Sequence, residues 1–552
     1  MTAAKGRARP RKVTQDRERA QRAREANDMT DEDVSVRVVI VGGGVAGVSC
    51  AEELINCLCS RSAKILKGAG RYHITLVSSD GRALKRSEAN EPESERNAVD
   101  VTVSLSQSDE VVRWLEEKAA AGSTAQVSLE FVQGTVMGIN AITRTVYVAD
   151  AEGGTLPVSY TKLCLCMGSS PKRVLECVDV VTVRDTDSVA AVAGMLAGAR
   201  QRAIGGNPKV MVVGNGGIAL DMVAGMRGVD VCWVVKHGGI GDAFFDGECG
   251  VFLEEELHGI RKDRRHADKK PRDAQRGILA PRSSTKQPVM GGASVGPSWT
   301  GGLGRDAAHV DTAYGDLVVE KNCEVTRIEK RGDVYRVELS NGGVVEDVSL
   351  IVSAIGVDPS PNVTWLPPEI ERAQDGGIAV DIDMQTSCDG VFAAGDVCTV
   401  VRDTEMAPGT HTTWFQMRLW SQARSMGIRA AHCILEVQDQ MASDLAFDLF
   451  SHTTTFLGKR VVLLGSFNGQ GLETACHGGD DITFFSRVSG DVPGDRSFVR
   501  VVIQHGKVKG AICIGKTDLS EVLENLILDG LDVSAFGADI ISENVDLDDI
   551  FD

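Results

Sequence analysis

Apolar residues along this chain gather into short, β-branched runs that end in glycine. Val36 to Val41 runs into Gly42, and Val210 to Val213 runs into Gly214. The first run is followed by apolar residues at helical spacing, Val48 to Leu58, so the pattern predicts a strand–turn–helix unit that occurs twice. Two further runs, Leu350 to Ala354 and Gly390 to Ala394, finish at Gly356 and Gly395 and predict a return to the first unit. From about residue 446 the pattern becomes one of alternating strands, at Arg460 to Leu464, Phe498 to Gln504 and Gly510 to Ile514. A helical segment around Leu519 to Leu528 follows, which predicts a separate C-terminal α+β domain.

Polar stretches set these blocks apart. Residues 1–34 are rich in Arg, Lys, Asp and Glu with almost no large apolar side chains, which predicts a disordered basic tail. A second basic stretch at about 258–300, with Arg261, Lys262, Arg264, Arg265, Lys269, Lys270 and Arg272, predicts a flexible insertion. The chain ends acidic, Val545-Asp546-Leu547-Asp548-Asp549-Ile550-Phe551-Asp552, as an exposed partner-binding peptide would. A net charge of −18 argues against a whole surface that coats nucleic acid. Direct nucleic-acid binding through residues 258–287 is disfavoured too, because no aromatic stacking residues are interleaved with those cations. No apolar stretch has membrane-spanning length without glycines or charges, so no membrane partner is expected.

The two glycine turns carry the chemistry. Gly42-Gly43-Gly44-Val45-Ala46-Gly47 is G-x-G-x-x-G between a strand and a helix. In that setting Gly42 permits the tight turn, Gly44 lets a pyrophosphate approach the backbone, and Gly47 lets helix and strand pack closely. The phosphates then meet the unpaired N–H groups of a helix N-terminus. Gly214-Asn215-Gly216-Gly217-Ile218-Ala219, with Asp221 following on the helix, repeats the fingerprint with alanine last. Two such turns imply two dinucleotides, an electron donor and an acceptor. The acidic residue expected about 20 positions on is missing from both units. The first unit has Ser78 and Ser79 there, with Asp80 only slightly later, and the second has Lys236 and His237. A cation at Lys236 tolerates a 2′-phosphate, so NADH and NADPH both remain open; Lys236 as a solvated strand end is an equal alternative.

These motifs resemble those of the pyridine nucleotide-disulphide oxidoreductase superfamily over most of residues 36–440. Tyr160-Thr161-Lys162-Leu163-Cys164-Leu165-Cys166-Met167-Gly168-Ser169-Ser170-Pro171 is similar to the segment that closes the family's flavin domain. Ser353-Ala354-Ile355-Gly356 is similar to the turn that leaves its second domain, and Gly390-Val391-Phe392-Ala393-Ala394-Gly395-Asp396 to its second FAD motif. The resemblance implies an α/β fold of glutathione-reductase type, with two Rossmann-like domains plus the C-terminal α+β domain. FAD would occupy residues 35–182 and 351–445, NADH or NADPH would occupy 183–350, and 446–552 would follow as the last domain. It implies that Ser78, Val136, Cys166, Met167, Gly168, Gly395 and Asp396 join the first glycine turn around FAD, and that Gly356 joins the second turn. Lys85 would approach the flavin as the one candidate for a catalytic side chain, a surface position being its common alternative. The segment Trp414 to Trp420 resembles the helix start that faces the flavin, with core packing as an equal alternative. Within the superfamily the likeness narrows to one group and extends through Arg184-Asp185-Thr186-Asp187-Ser188 and the final Phe551-Asp552. That group implies a protein of nucleus and cytoplasm that associates with an RtcB-type tRNA ligase and protects it from oxidative inactivation.

Disulfide reduction needs two neighbouring thiols beside the flavin. Among the 14 cysteines none forms C-x-x-C or C-x-x-x-x-C; the close pairs are Cys57 with Cys59 and Cys164 with Cys166. The first pair falls on a helix where residues two apart diverge, and the second on a strand where they share a side among apolar neighbours. The expectation is an FAD-dependent NAD(P)H oxidoreductase without a redox-active dithiol and without a metal. A soluble NAD(P)H oxidase or reductase acting on a small molecule is the alternative.

Overall fold

The computed structural model describes residues 35–59, 71–79, 82–87, 102–107, 113–117, 126–150, 152–177, 179–242, 244–245, 247–267, 313–359, 365–401, 414–437, 447–472 and 482–542. The basic tail at 1–34, the part of the basic stretch beyond 267 and the acidic end at 545–552 lie outside the described residues.

The first sheet holds five parallel strands in the order Val391–Ala393, Lys162–Leu165, Ser35–Val41, Arg71–Ser78 and Gln126–Gln133. Burial on both faces is why Val38–Val41 and Leu163–Leu165 read as continuous apolar runs and not as alternation. The helices Val45–Cys59 and Trp420–Ile434 pack against each other in this unit. A three-stranded antiparallel sheet, Thr135–Asn140, Thr145–Ala149 and Thr155–Ser159, accompanies them.

The second sheet runs Leu317–Lys321, Asp230–Val235, Lys209–Val213, Val344–Ser353, Val334–Leu339 and Val325–Arg331. Its long strand Val344–Ser353 is antiparallel to Val334–Leu339 over its first half. Over its second half it is parallel to Lys209–Val213 and to Val181–Thr182. Residues 351–353 therefore belong to the second sheet. The boundary expected at 350/351 falls inside the strand Val344–Ser353, the one expected at 182/183 leaves its partner strand Val181–Thr182 on the first-domain side, and the chain crosses back only after Ser353.

The basic stretch also needs correction at its start. Residues 258–267 continue the helix Gly247–Ala267, and Arg261 is 3% exposed. Its guanidinium donates to the carbonyls of Val223 (3.0 Å) and Gly315 (3.1 Å), so this cation is a buried staple, not part of a solvated patch.

The C-terminal unit is an antiparallel sheet ordered Ser451–Phe456, Lys459–Gly465, Lys507–Ile514, Ser497–Gln504 and Ile482–Ser489. Successive residues face opposite sides. Val462, Leu464, Val499 and Cys513 pack under the helix Ser520–Asp529, which stops at Gly530 in the left-handed conformation. Val461, Leu463, Phe498 and Ile512 point the other way and join Trp233, Phe252 and Leu253 of the second unit in one core.

Candidate functional site

The ends of the parallel strands build the two glycine turns in the same way. In the first unit, Gly42 N donates to Val77 O (2.8 Å) and Cys166 N to Val41 O (2.7 Å). In the second, Gly214 N donates to Val234 O (3.1 Å) and Ala354 N to Val213 O (2.7 Å). Gly42 has φ +121° and Gly214 φ +129°, and a Cβ at either would lie 2.2 Å from Cys166 O or 2.1 Å from Ala354 O. Only glycine fits both the backbone and the space. Cys166-Met167-Gly168 and Ala354-Ile355-Gly356 are thus structural counterparts, and Gly168 and Gly356 both have positive φ.

The middle glycines behave differently. A Cβ on Gly44 or Gly216 would meet nothing within 4 Å, so each backbone is open for a ligand to approach. Gly47 serves packing, since its Cβ would fall 1.9 Å from Gly42 O. Its counterpart Ala219 is fully buried.

A cavity of about 590 Å³ opens at the first turn, within the size range of cofactor sites. Gly42, Gly43, Gly44, Val45 and Ala46 form one wall of it. Ser78 and Val136 supply a second, and Cys166, Met167, Gly168, Gly395 and Asp396 a third. Ile218, Val183 and Arg184 reach it from the second unit, so the cavity spans both. Of the other second-turn residues, Gly214, Asn215, Gly216, Gly217, Ala219, Asp221, Lys236 and Gly356 do not line it. They sit on their own turn and strand ends. Asn215 is committed within the chain: its Nδ2 donates to Gly239 O (2.8 Å) and to Asp242, and its Oδ1 accepts from Gly241 N (2.6 Å). It shapes the loop after Val235. Lys236 at that strand end pairs with Glu324 at 3.0 Å, with both side chains exposed. Lys85 belongs to the strand Arg82–Ser87, and its side chain falls outside the described residues.

Asp396 accepts a hydrogen bond from Ser169 Oγ (2.9 Å). Burial pushes its carboxyl above the usual aspartate range, opposed by that bond and by the Arg418 and Arg184 charges. A half-buried carboxylate at a cavity wall is suited to accept hydrogen bonds from the hydroxyls of a polyol chain. Two arginines of this wall escaped sequence reasoning. Arg184 places a guanidinium nitrogen 2.8 Å from where a Gly168 Cβ would sit. The signal available was its position just before the capping box of the helix Thr186–Arg202, where Ser188 N donates to Asp185 Oδ1 at 2.8 Å. Arg418 holds φ +53° while donating to Asp396 O (3.1 Å), Thr399 Oγ1 (2.9 Å) and Asp375. A strained non-glycine residue of this kind leaves no mark in the sequence.

Cys166 is the one cysteine lining the cavity among the described residues. Its Sγ lies 3.5 Å from Cys164 Sγ, both buried. The hydrogen bond to Cys164 and then burial hold the Cys166 thiol well above its ordinary pKa, so it is not poised as a thiolate.

Open middle glycines, strand ends that run into helix N-termini and a cavity lined from both units fit dinucleotides. The sequence profile of the pyridine nucleotide-disulphide oxidoreductase family matches residues 36–261 and 315–427. The chain belongs to this family. Like the family, this pyridine nucleotide-disulphide oxidoreductase is an FAD-dependent NAD(P)H enzyme. It is 32% identical over 543 residues to pyridine nucleotide-disulfide oxidoreductase domain-containing protein 1 of Danio rerio, covering 94% of this chain and 98% of the relative. The Homo sapiens protein of that name is 31% identical over 552 residues, with 94% and 98% covered. Among solved structures, putidaredoxin reductase in covalent complex with putidaredoxin is similar with a TM-score of 0.59, 15% identity and coverage of 93% and 98%. The water-forming NADH oxidase of Lactobacillus brevis bound to NADH gives a TM-score of 0.56, 14% identity and coverage of 90% and 91%. These likenesses establish the oxidoreductase fold, two Rossmann-like units with a third domain, as expected.

Proposed function

We propose that FAD lies along the Gly42–Gly47 turn in the 590 Å³ cavity, that NADH or NADPH lies on the Gly214–Ala219 turn, and that electrons leave to an acceptor other than an internal disulfide. In the same reading the nucleotide-loaded protein associates, in nucleus and cytoplasm, with an RtcB-type tRNA ligase and shields it from oxidative inactivation. The observation that carries the redox half is the cavity itself, which takes walls from both nucleotide units but, among the described residues, contains a single, buried thiol. When bound, FAD supplies hydride acceptance from the nicotinamide and onward electron transfer. The chain's part is to hold and orient: helix N-termini for the phosphates, Asp396 for the polyol hydroxyls, and Arg184 and Arg418 as charge beside them. The partner half rests on the resemblance, stated above, to one group within the family, whose Homo sapiens and Danio rerio members align along 94% of this chain at 31% and 32% identity.

The test is to purify the full chain, record its visible spectrum, add NADH or NADPH without oxygen, and then admit air. A flavin band that bleaches and returns slowly is expected. Rapid return without a partner would replace the shielding role by a soluble oxidase, and failure to retain or load flavin would overturn the redox half. For the partner half, the ligase should keep its activity under air only with this chain and NAD(P)H together; equal loss in their presence would overturn it.

A further inference from the structure

The helices Val45–Cys59 and Trp420–Ile434 touch at two levels. Near the cavity the contact is backbone to backbone: a Cβ on Gly427 would lie 2.3 Å from Ala46 O. Further along, three donor atoms converge. His432 Nε2 lies 2.8 Å from Glu53 Oε1, Cys57 Sγ lies 3.4 Å from the same oxygen, and the three ligand atoms all fall within 4.8 Å of one another. Glu53 and Cys57 are four residues apart, so one helical turn stacks them on the same face, while His432 arrives from the facing helix. None of the three lines the nucleotide cavity.

The donor set is specific in chemistry. Imidazole, thiol and carboxylate around one point suit a borderline-soft divalent ion such as zinc, whereas magnesium and calcium take oxygen ligands. The spacing is close to that of three ligands on one tetrahedral ion with bonds of about 2.0–2.3 Å. Asn56 Nδ2 donates to the second oxygen of Glu53 (3.2 Å), the kind of outer contact that orients a ligating carboxylate. The side chains of His432 and Glu53 are 13% and 23% exposed, shielded but within reach of an ion from solvent.

We propose that Glu53, Cys57 and His432 form a binding site for a zinc-class divalent cation, with solvent as fourth ligand, that staples together the two helices flanking the nucleotide cavity. The first helix begins at the pyrophosphate turn, and the second lines the cavity through Trp420 and Ala423. The ion bonds to Nε2, Sγ and a carboxylate oxygen, and the thiol proton is released to solvent. Its role is structural, on helices that carry the cofactor but away from the reacting atoms.

The test uses the full, flavin-containing protein stripped of metal, titrated with Co²⁺ and read by difference spectra in the red region, where oxidised flavin does not absorb. Tetrahedral cobalt bands that saturate near one ion per chain and are displaced by Zn²⁺ are expected. Cys57→Ser should abolish or strongly alter them, and His432→Ala should weaken binding by more than about 10-fold, since loss of outer-shell partners alone costs ~10- to 100-fold. Cys388→Ser should leave them intact. Zn²⁺ should raise the melting temperature of the unmutated protein but not of Cys57→Ser. Absence of the bands, or bands unchanged in both ligand variants, would overturn the site. If Cys57→Ser does not fold, His432→Ala decides alone.

Discussion

At the scale of single residues, the first glycine turn separates two roles that one motif conflates. Gly42 is fixed by its own chain, with φ +121° and a Cβ position 2.2 Å from Cys166 O. Gly42→Ala should therefore cost about 1–3 kcal/mol and lower melting temperature and flavin content together. Gly44 faces open space, so Gly44→Val should melt like the parent once flavin is stripped, yet bind little flavin. Melting curves and flavin-to-protein absorbance ratios distinguish the two; parallel losses at Gly44 would mean that position is structural as well. A third residue gives a pH signature. Burial pulls the His452 imidazole from the usual 6.5 down to about 4, and Ser421 Oγ lies 3.1 Å from its Nδ1. Because the folded value is depressed, this contribution is whole above pH 6.5 and is lost as pH falls toward 4, the unfolded chain taking up the proton first. The shift corresponds to roughly 3 kcal/mol. His452→Asn should flatten the melting-temperature slope over that window, and an unchanged slope would assign the acid loss to other groups.

At the scale of elements, strand–turn–helix units were legible because β-branched runs meeting glycine have few other outcomes. The duplicated turn at Gly214 was legible for the same reason, although its helix is short. Boundaries were less so. Leu350 to Ala354 looked like the start of a new unit because only the last residues of the strand Val344–Ser353 are continuously apolar; its first half contains Glu346 and Asp347 and pairs with a hairpin strand, Val334–Leu339. Arg261 looked solvated because a sequence does not reveal which cation finds carbonyls at a helix end. The cation at Lys236 was visible, but its partner was not, since Glu324 comes from the turn between the strands Leu317–Lys321 and Val325–Arg331, far along the chain. That pairing leaves negative charge beside the position expected for a 2′-phosphate. Glu324→Gln should lower the KM for NADPH relative to that for NADH, by about 2- to 5-fold for a screened surface pair. An unchanged ratio would place the 2′ position elsewhere.

At the scale of the whole molecule, the third domain is bound to the second by more than contact. Glu256 is fully buried and meets Arg496 Nε at 2.7 Å, Gly494 N at 2.8 Å and Lys459 Nζ at 3.3 Å, the helix Gly247–Ala267 thereby gripping the C-terminal sheet. Removing one partner of a buried charge network is expensive, so Glu256→Leu should destabilise by about 3–5 kcal/mol. Calorimetry should show the second and third domains melting earlier but still together; a separate early transition of the third domain alone would show it to be independent. The shared core of Val461, Leu463 and Phe498 with Trp233 and Phe252 points the same way, although the alternating strands had suggested a separate domain. A protease that engages the C terminus must then unravel the nicotinamide-binding unit as it advances. Bound dinucleotide resists that unravelling through its own binding energy. The lifetime of this protein in a cell would accordingly follow the supply of its reductant, lengthening when NAD(P)H is plentiful and shortening when it runs low.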